Sequence, residues 1–210
     1  MRGVVRALSL AAGLAGIVLL AFPAGLRLLQ DRGTEAAQSR LEAEFVAVAN
    51  DVPVILDVPT RGESGDASAE DPTILASRPR LGAALGRITI PDIGLRMMVV
   101  EGTNPAQLEQ GPGRYRATAM LCSEGNAAIA GHRTTYLAPF NRLDELRPGD
   151  AILIDTPFGR CRYEVVRSFQ VLPTDGHVLG DVGYGALTLT TCTPEGSSAF
   201  RLVVRARLVG

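Results

Sequence analysis

The sequence holds no lysine and no tryptophan, and all 21 of its basic residues are arginine. Without lysine there is no Schiff-base amine, no P-loop lysine and no lysine nucleophile, so the N-terminus is the only amine on the chain. Cysteine and histidine are scarce, at three and two residues in 210. Three cysteines cannot build a disulfide scaffold, and their odd number leaves at least one thiol without an intramolecular partner. A charge excess is also missing: 21 basic against 22 acidic residues leave a formal net charge of −1. That balance excludes a nucleic-acid binder held by bulk electrostatics. The composition is 46% hydrophobic, so wholesale disorder is excluded as well. A chain of 210 residues has room for one ordinary domain with appendages.

One long uncharged run is present. Ala7 to Leu26 carries no charge and is bounded by Arg6 and Arg27. At about 1.5 Å per helical residue, such a run spans about 30 Å, the thickness of a bilayer's hydrocarbon core. A cleaved signal peptide usually has a shorter apolar core and a small-residue cleavage site, which is not evident around Phe22-Pro23-Ala24. The expectation is a retained anchor over residues 1–30. Arg2, Arg6 and the terminal amine favour an inside N-terminus and an extracellular remainder.

Residues 31–80 read as an extracellular linker with 10 acidic and 5 basic residues. Gly33 to Asn50 predicts a polar helix with a thin apolar stripe at Leu41, Phe45 and Val48. Asp51 to Arg80, with four prolines and no aromatic residue, reads as a flexible spacer.

From Leu81 to Gly210 short β-branched runs alternate with turn residues. Arg87–Ile90 and Leu95–Val100 flank Pro91-Asp92-Ile93-Gly94 and predict a hairpin. Asn104-Pro105-Ala106-Gln107 opens a short helix that Gly111-Pro112-Gly113 ends. Further strands are expected at 126–130, 151–156, 161–172, 186–192 and 201–209. Many short strands with little helix point to a mainly β domain, a closed barrel or a sandwich.

Two places could carry chemistry. In Ala186–Cys192 the alternation puts Leu187 and Leu189 on one face and Thr188, Thr190 and Cys192 on the other. Cys192 ends this strand beside a loop, where a thiol is accessible; a small buried hydrophobe is the alternative. His132 follows an apolar strand in Ile129-Ala130-Gly131-His132, and a nucleophilic cysteine needs such a base or proton shuttle nearby. His177 lies in a turn-rich segment and reads as a loop residue. Arg201 opens the last strand, nine residues after Cys192, so an antiparallel return would bring it beside the thiol to hold a developing oxyanion. Arg205 and Arg207 share its face, so a solvated arginine stripe is the rival reading.

Thr188-Leu189-Thr190-Thr191-Cys192, with Gly131-His132 upstream and Arg201 downstream, resembles the sortases, membrane-anchored cysteine transpeptidases of Gram-positive bacteria. Ile90-Pro91-Asp92-Ile93-Gly94, Gly131-His132-Arg133-Thr134-Thr135-Tyr136 and Phe140-Asn141-Arg142-Leu143 are most similar to class E, the actinobacterial group, which an all-arginine complement also suits. Leu137 departs from that class, which often has glycine there. The resemblance implies a closed eight-stranded β-barrel over 81–210. It implies Cys192 as the nucleophile that cleaves a sorting signal between Thr and Gly, His132 as acid and base, and Arg201 as oxyanion or substrate holder. Tyr136, Thr190 and Thr191 are the substrate-contacting candidates, with Tyr136 at the position linked to Leu-Ala-x-Thr-Gly rather than Leu-Pro-x-Thr-Gly signals. The implied partners are surface proteins bearing that signal, an amine acceptor from lipid II or a pilin, and the membrane. No lid motif is present, since Asp71-Pro72 is followed by Thr73.

No metal or other cofactor is expected. Calcium needs clustered carboxylates, whereas Glu124, Asp175 and Asp181 are scattered, and Cys122, Cys161 and Cys192 lack zinc spacing. Whether Cys122 and Cys161 pair stays open, because sequence does not give their separation. The rival functions are a cysteine hydrolase that releases the acyl group to water and a non-catalytic wall-binding module on a membrane stalk.

Overall fold

The structure, a computed structural model, describes residues 2–51 and 79–210, with side chains described over 25–50 and 79–210. A long helix, α1 (Arg2–Asp51), precedes the strands. These are β1 (Ala84–Ile90), β2 (Leu95–Glu101), β3 (Gly113–Arg114), β4 (Asn126–Ala130), β5 (Ala151–Thr156), β6 (Gly159–Val171), β7 (Ala186–Thr193) and β8 (Phe200–Leu208). A four-residue helix, α2 (Pro105–Leu108), sits between β2 and β3. Single 3-10 turns occupy Pro91–Ile93, Leu143–Glu145 and Gly176–Leu179.

The eight strands close into a barrel in the order β1-β2-β3-β4-β7-β8-β6-β5. The expected β1–β2 hairpin forms with Ile90 opposite Leu95, and Gly94 turns it at φ 67°. Not foreseen were β3, only two residues long, and the parallel pairings of β2 with β3 and of β4 with β7. β3 is too short to carry a periodicity. It is held to β2 by the buried Glu101 carboxylate, which takes both Arg114 Nη2 at 2.7 Å and Nε at 2.9 Å.

Alternation then decides what is inside. Ile88, Ile90, Ile129, Ile152, Ile154, Leu187 and Leu189 are fully buried in one core with Phe140 and Tyr163. Each contributes about 1.5–3 kcal/mol of apolar burial. Leu202, Val204 and Ala206 of β8 face that core, which turns Arg201, Arg205 and Arg207 to the outer face.

The polar helix expected at 33–50 is the second half of α1, and it packs on the barrel. Leu41 is buried against Met98 and Val100, with Phe45 beside them, while Val48 is exposed. Gln38 bonds to the Met98 backbone as a neighbouring strand would: Nε2 donates to Met98 O at 3.1 Å, and Oε1 accepts from Met98 N at 2.6 Å. Thr34, also buried, donates to Glu109 O at 2.8 Å. Arg87 pairs with Glu42 and lies over the Phe45 ring, 5.6 Å from its centroid.

The spacer reading of Asp51–Arg80 falls mostly on residues 52–78, outside the described residues. The run Ala7–Leu26 is helical backbone within α1, with nearly all its side chains outside them. Among the described residues no helix is long and apolar enough to cross a membrane.

Cys122 and Cys161 form a disulfide with their Cα atoms 5.5 Å apart. It ties the β3–β4 loop to the start of β6 and leaves Cys192 as the free thiol.

Candidate active site

Two registers assemble the site. β4 runs parallel to β7 with Ala128 beside Thr188 and Ala130 beside Thr190. The match continues past the strand end, where Gly131 N donates to Thr190 O at 3.0 Å and Thr191 Oγ1 donates to Gly131 O at 2.8 Å. Continuing the offset brings the His132 backbone alongside Cys192. On the other side β8 is antiparallel to β7, and Cys192 is paired with Arg201. A half-buried thiol is thus flanked by the imidazole-bearing loop on one side and the arginine on the other.

Gly131 is needed at the approach to His132. A Cβ there would lie 2.5 Å from the Phe140 ring, which is itself fully buried. The Arg133 guanidinium is buried and anchors the residue after His132 through Asp144, at 2.9 Å.

His132 is half-buried, and that burial lowers its pKa from the usual 6.5; the Glu109 carboxylate pulls the other way. The result favours a neutral imidazole, able to take a proton, with Glu109 moderating the bias. The Tyr136 ring lies 5.0 Å from the His132 ring at 35°, and its hydroxyl donates to Glu109 Oε1 at 3.2 Å. Gln30 of α1 lines the same cleft as Tyr136 and Glu109.

Tyr136, Leu137 and Ala138 all have left-handed backbone, at φ 53°, 62° and 43°. Left-handed conformation costs a residue with a Cβ about 1–2 kcal/mol, so three in succession require outside support. The departure noted at Leu137 therefore has a structural meaning: a glycine would adopt this turn freely.

Arg201 Nη1 donates to the Ser198 and Phe200 carbonyls, each at 3.2 Å, and among the described residues Arg201 has no ion pair. Those two carbonyls orient the guanidinium and leave its remaining donors uncommitted. Thr190 is buried and shares a 3.0 Å hydrogen bond with the Tyr115 hydroxyl. Thr191 is also buried, its hydroxyl spent on Gly131 O. His177 is exposed in the 3-10 turn that follows Asp175, away from this grouping, as its turn-rich segment suggested.

The solvated stripe needs correcting at Arg205. Its side chain is only 5% exposed, because the Gly176–Leu179 turn covers it and takes Nη2 at Val178 O, 2.8 Å away. Asn126 bonds the same carbonyl at 3.1 Å and Gly180 O at 2.9 Å, and is braced by Thr188 Oγ1 at 2.6 Å. Alternation showed the face correctly, but not that the β6–β7 loop folds over it. Arg207 does stay exposed, stacked 4.2 Å over the Tyr184 ring. Sequence reasoning also missed Glu109 and Tyr115, which are isolated residues with no local pattern around them.

A family model for the sortase domain matches residues 88–209. The chain belongs to the sortase family. Sortase D of Bacillus subtilis is 30% identical over 182 residues, 86% of this chain and 85% of its own length. The solved Clostridium perfringens Sortase D5 transpeptidase aligns with a TM-score of 0.66 at 28% identity, covering 83% of this chain and 99% of that one. Sortase E from Streptomyces avermitilis aligns with a TM-score of 0.58 at 33% identity, covering 63% and 91%. The class E likeness is present, and a class D likeness extends over more of the chain. This sortase is a cysteine transpeptidase of that family's type.

Proposed function

We propose that this sortase is membrane-anchored and works outside the cell. In this reading it cleaves a C-terminal sorting signal of the Leu-Ala-x-Thr-Gly or Leu-Pro-x-Thr-Gly type between Thr and Gly. It then passes the acyl group to an amine of a cell-wall precursor or a pilin. The observation that carries the reading is the placement of Cys192 between the parallel β4–β7 register, which leads to His132, and its antiparallel partner Arg201.

The chemistry follows from those positions. Neutral His132 takes the Cys192 thiol proton, and the resulting thiolate attacks the Thr carbonyl while Arg201 steadies the oxyanion. His132 protonates the leaving glycine amine, and a thioester to Cys192 results. An incoming amine attacks the thioester, His132 takes its proton, and the thiolate is released. Tyr136 flanks the imidazole and is positioned to contact the signal, and Thr190 supports the groove floor through Tyr115. Thr191 acts from below, holding Gly131.

The anchor rests on the uncharged run Ala7–Leu26 between Arg6 and Arg27. Protease added to intact protoplasts should then degrade the domain; protection until lysis would refute the topology. The reaction is tested by incubating the enzyme with a Leu-Ala-x-Thr-Gly peptide with and without an added amine. An amine-ligated product that is absent in Cys192→Ala supports transfer. Hydrolysis alone, unchanged by amine, would contradict it.

A further inference from the structure

The Tyr136–Ala138 turn is strained, lies next to His132, and is not held by its own neighbours alone. Ala138 N donates to Thr135 O at 2.9 Å and Phe140 N to His132 O at 3.0 Å, so the turn is tied directly to the His132 backbone. The amide of Leu137, at the centre of the left-handed run, finds its acceptor 106 residues away: Asp31 Oδ1 on α1, at 3.0 Å. Gln30, one residue earlier, lines one cleft with Glu109 and Tyr136. Asp31 is itself fixed in space, because the next turns of α1 are docked by Thr34, Gln38 and Leu41.

We propose that Asp31 of α1 is a positioning residue for the transpeptidase reaction, clamping the left-handed Tyr136–Ala138 turn so that the turn holds His132 beside Cys192. The proposal rests on His132 being the acid and base of the reading above. The helix between the apolar run and the domain is then a working part of the site. A residue with a Cβ stays in left-handed conformation only where its surroundings over-determine it, and among the described residues the Asp31 carboxylate supplies the one non-local hydrogen bond to the turn's centre. Losing it lets residues 136–138 relax toward ordinary backbone, which shifts the Tyr136 ring and the His132 carbonyl contact together. Misplacing a catalytic group by about 1 Å can cost up to about a hundredfold in rate.

The clamp is distinguishable from a general structural role through Leu137. Glycine needs no support at φ 62°, so Leu137→Gly should suppress the loss of Asp31. The full chain is assayed for peptide aminolysis, with thermal melts of every variant. Asp31→Ala should lower kcat by about ten- to a hundredfold, with a smaller rise in KM from the displaced Tyr136 ring. Asp31→Asn, which keeps an Oδ1 acceptor, should stay near wild type. Asp31→Ala/Leu137→Gly should recover most of the lost rate. The proposal is overturned if Asp31→Ala keeps wild-type kcat, if Asp31→Asn is as slow as Asp31→Ala, or if the double variant is no faster than the single. Should Asp31→Ala not fold, Asp31→Glu replaces it, since it keeps the charge and displaces the acceptor; wild-type kcat there overturns the clamp. Cys192→Ala runs alongside. Aminolysis persisting in it would sink the catalytic reading, whereas wild-type rates in Asp31→Ala alone sink only the clamp.

Discussion

Removing the Cys122–Cys161 disulfide should cost the domain a large part of its stability without touching the reactive thiol. The perturbation is the double variant Cys122→Ser/Cys161→Ser, which leaves Cys192 in place. The bridge closes a loop with a sequence separation of 39 residues. Chain-entropy reasoning for that length gives about 13 cal/mol/K, or about 4 kcal/mol at 25 °C, by which the bond restrains the unfolded chain. The folded side changes little: both cysteines pack against the main core and serine is nearly isosteric, although its hydroxyl is poorly served there. Both effects lower stability. For a domain of this size, 1 kcal/mol moves Tm by about 3–6 °C, so a drop of 10 °C or more is expected. The assay is urea unfolding and thermal melting of wild type and double variant, with a thiol titration of denatured, unreduced wild type that should count one free thiol. Equal midpoints for the two proteins, or three free thiols, would refute the reasoning.

Arg201→Lys should lower aminolysis at least about tenfold, since losing an aimed oxyanion donor costs about 10²–10³ and the retained charge rescues part. The exposed Arg207→Lys is its control, and equal near-wild-type rates in both would return Arg201 to a surface role. Glu109→Gln removes the charge that raises the His132 pKa, so burial acts unopposed and the limb of the kcat/KM–pH profile set by His132 should move to lower pH. An unmoved or upward-shifted limb would show that Glu109 does not act on His132. Gly131→Ala forces a Cβ into the Phe140 ring and should destabilise by about 1–3 kcal/mol while reducing turnover, read by melts and peptide assay; unchanged values in both would contradict the packing argument.

What could be read from sequence was what local periodicity and chain order encode. Leu187 and Leu189 against Thr188, Thr190 and Cys192 gave the β7 faces, and Leu202, Val204 and Ala206 gave those of β8. A nine-residue return was enough to pair Arg201 with Cys192. What escaped was non-local. The parallel β4–β7 register joins segments about 60 residues apart and leaves no local trace, so His132 could be named from the sequence but not placed. The docking of α1 runs largely through Thr34 and Gln38 onto backbone atoms, and polar residues on a polar helix carry no sign of burial. Arg205 was put on the right face and in the wrong environment, because alternation does not say which loop covers a surface. Leu137 stood out as an oddity whose cause, a left-handed backbone supported from residue 31, only three-dimensional placement shows.

The most direct test of the account is where the acyl group goes. Wild-type enzyme incubated with a Leu-Ala-x-Thr-Gly peptide, quenched in acid without amine and digested for mass spectrometry, should carry the peptide's acyl portion up to Thr as a thioester on Cys192. The adduct should disappear when an amine is added before quenching. An adduct on Cys122 or Cys161, or undiminished turnover in Cys192→Ala, would contradict the central claim.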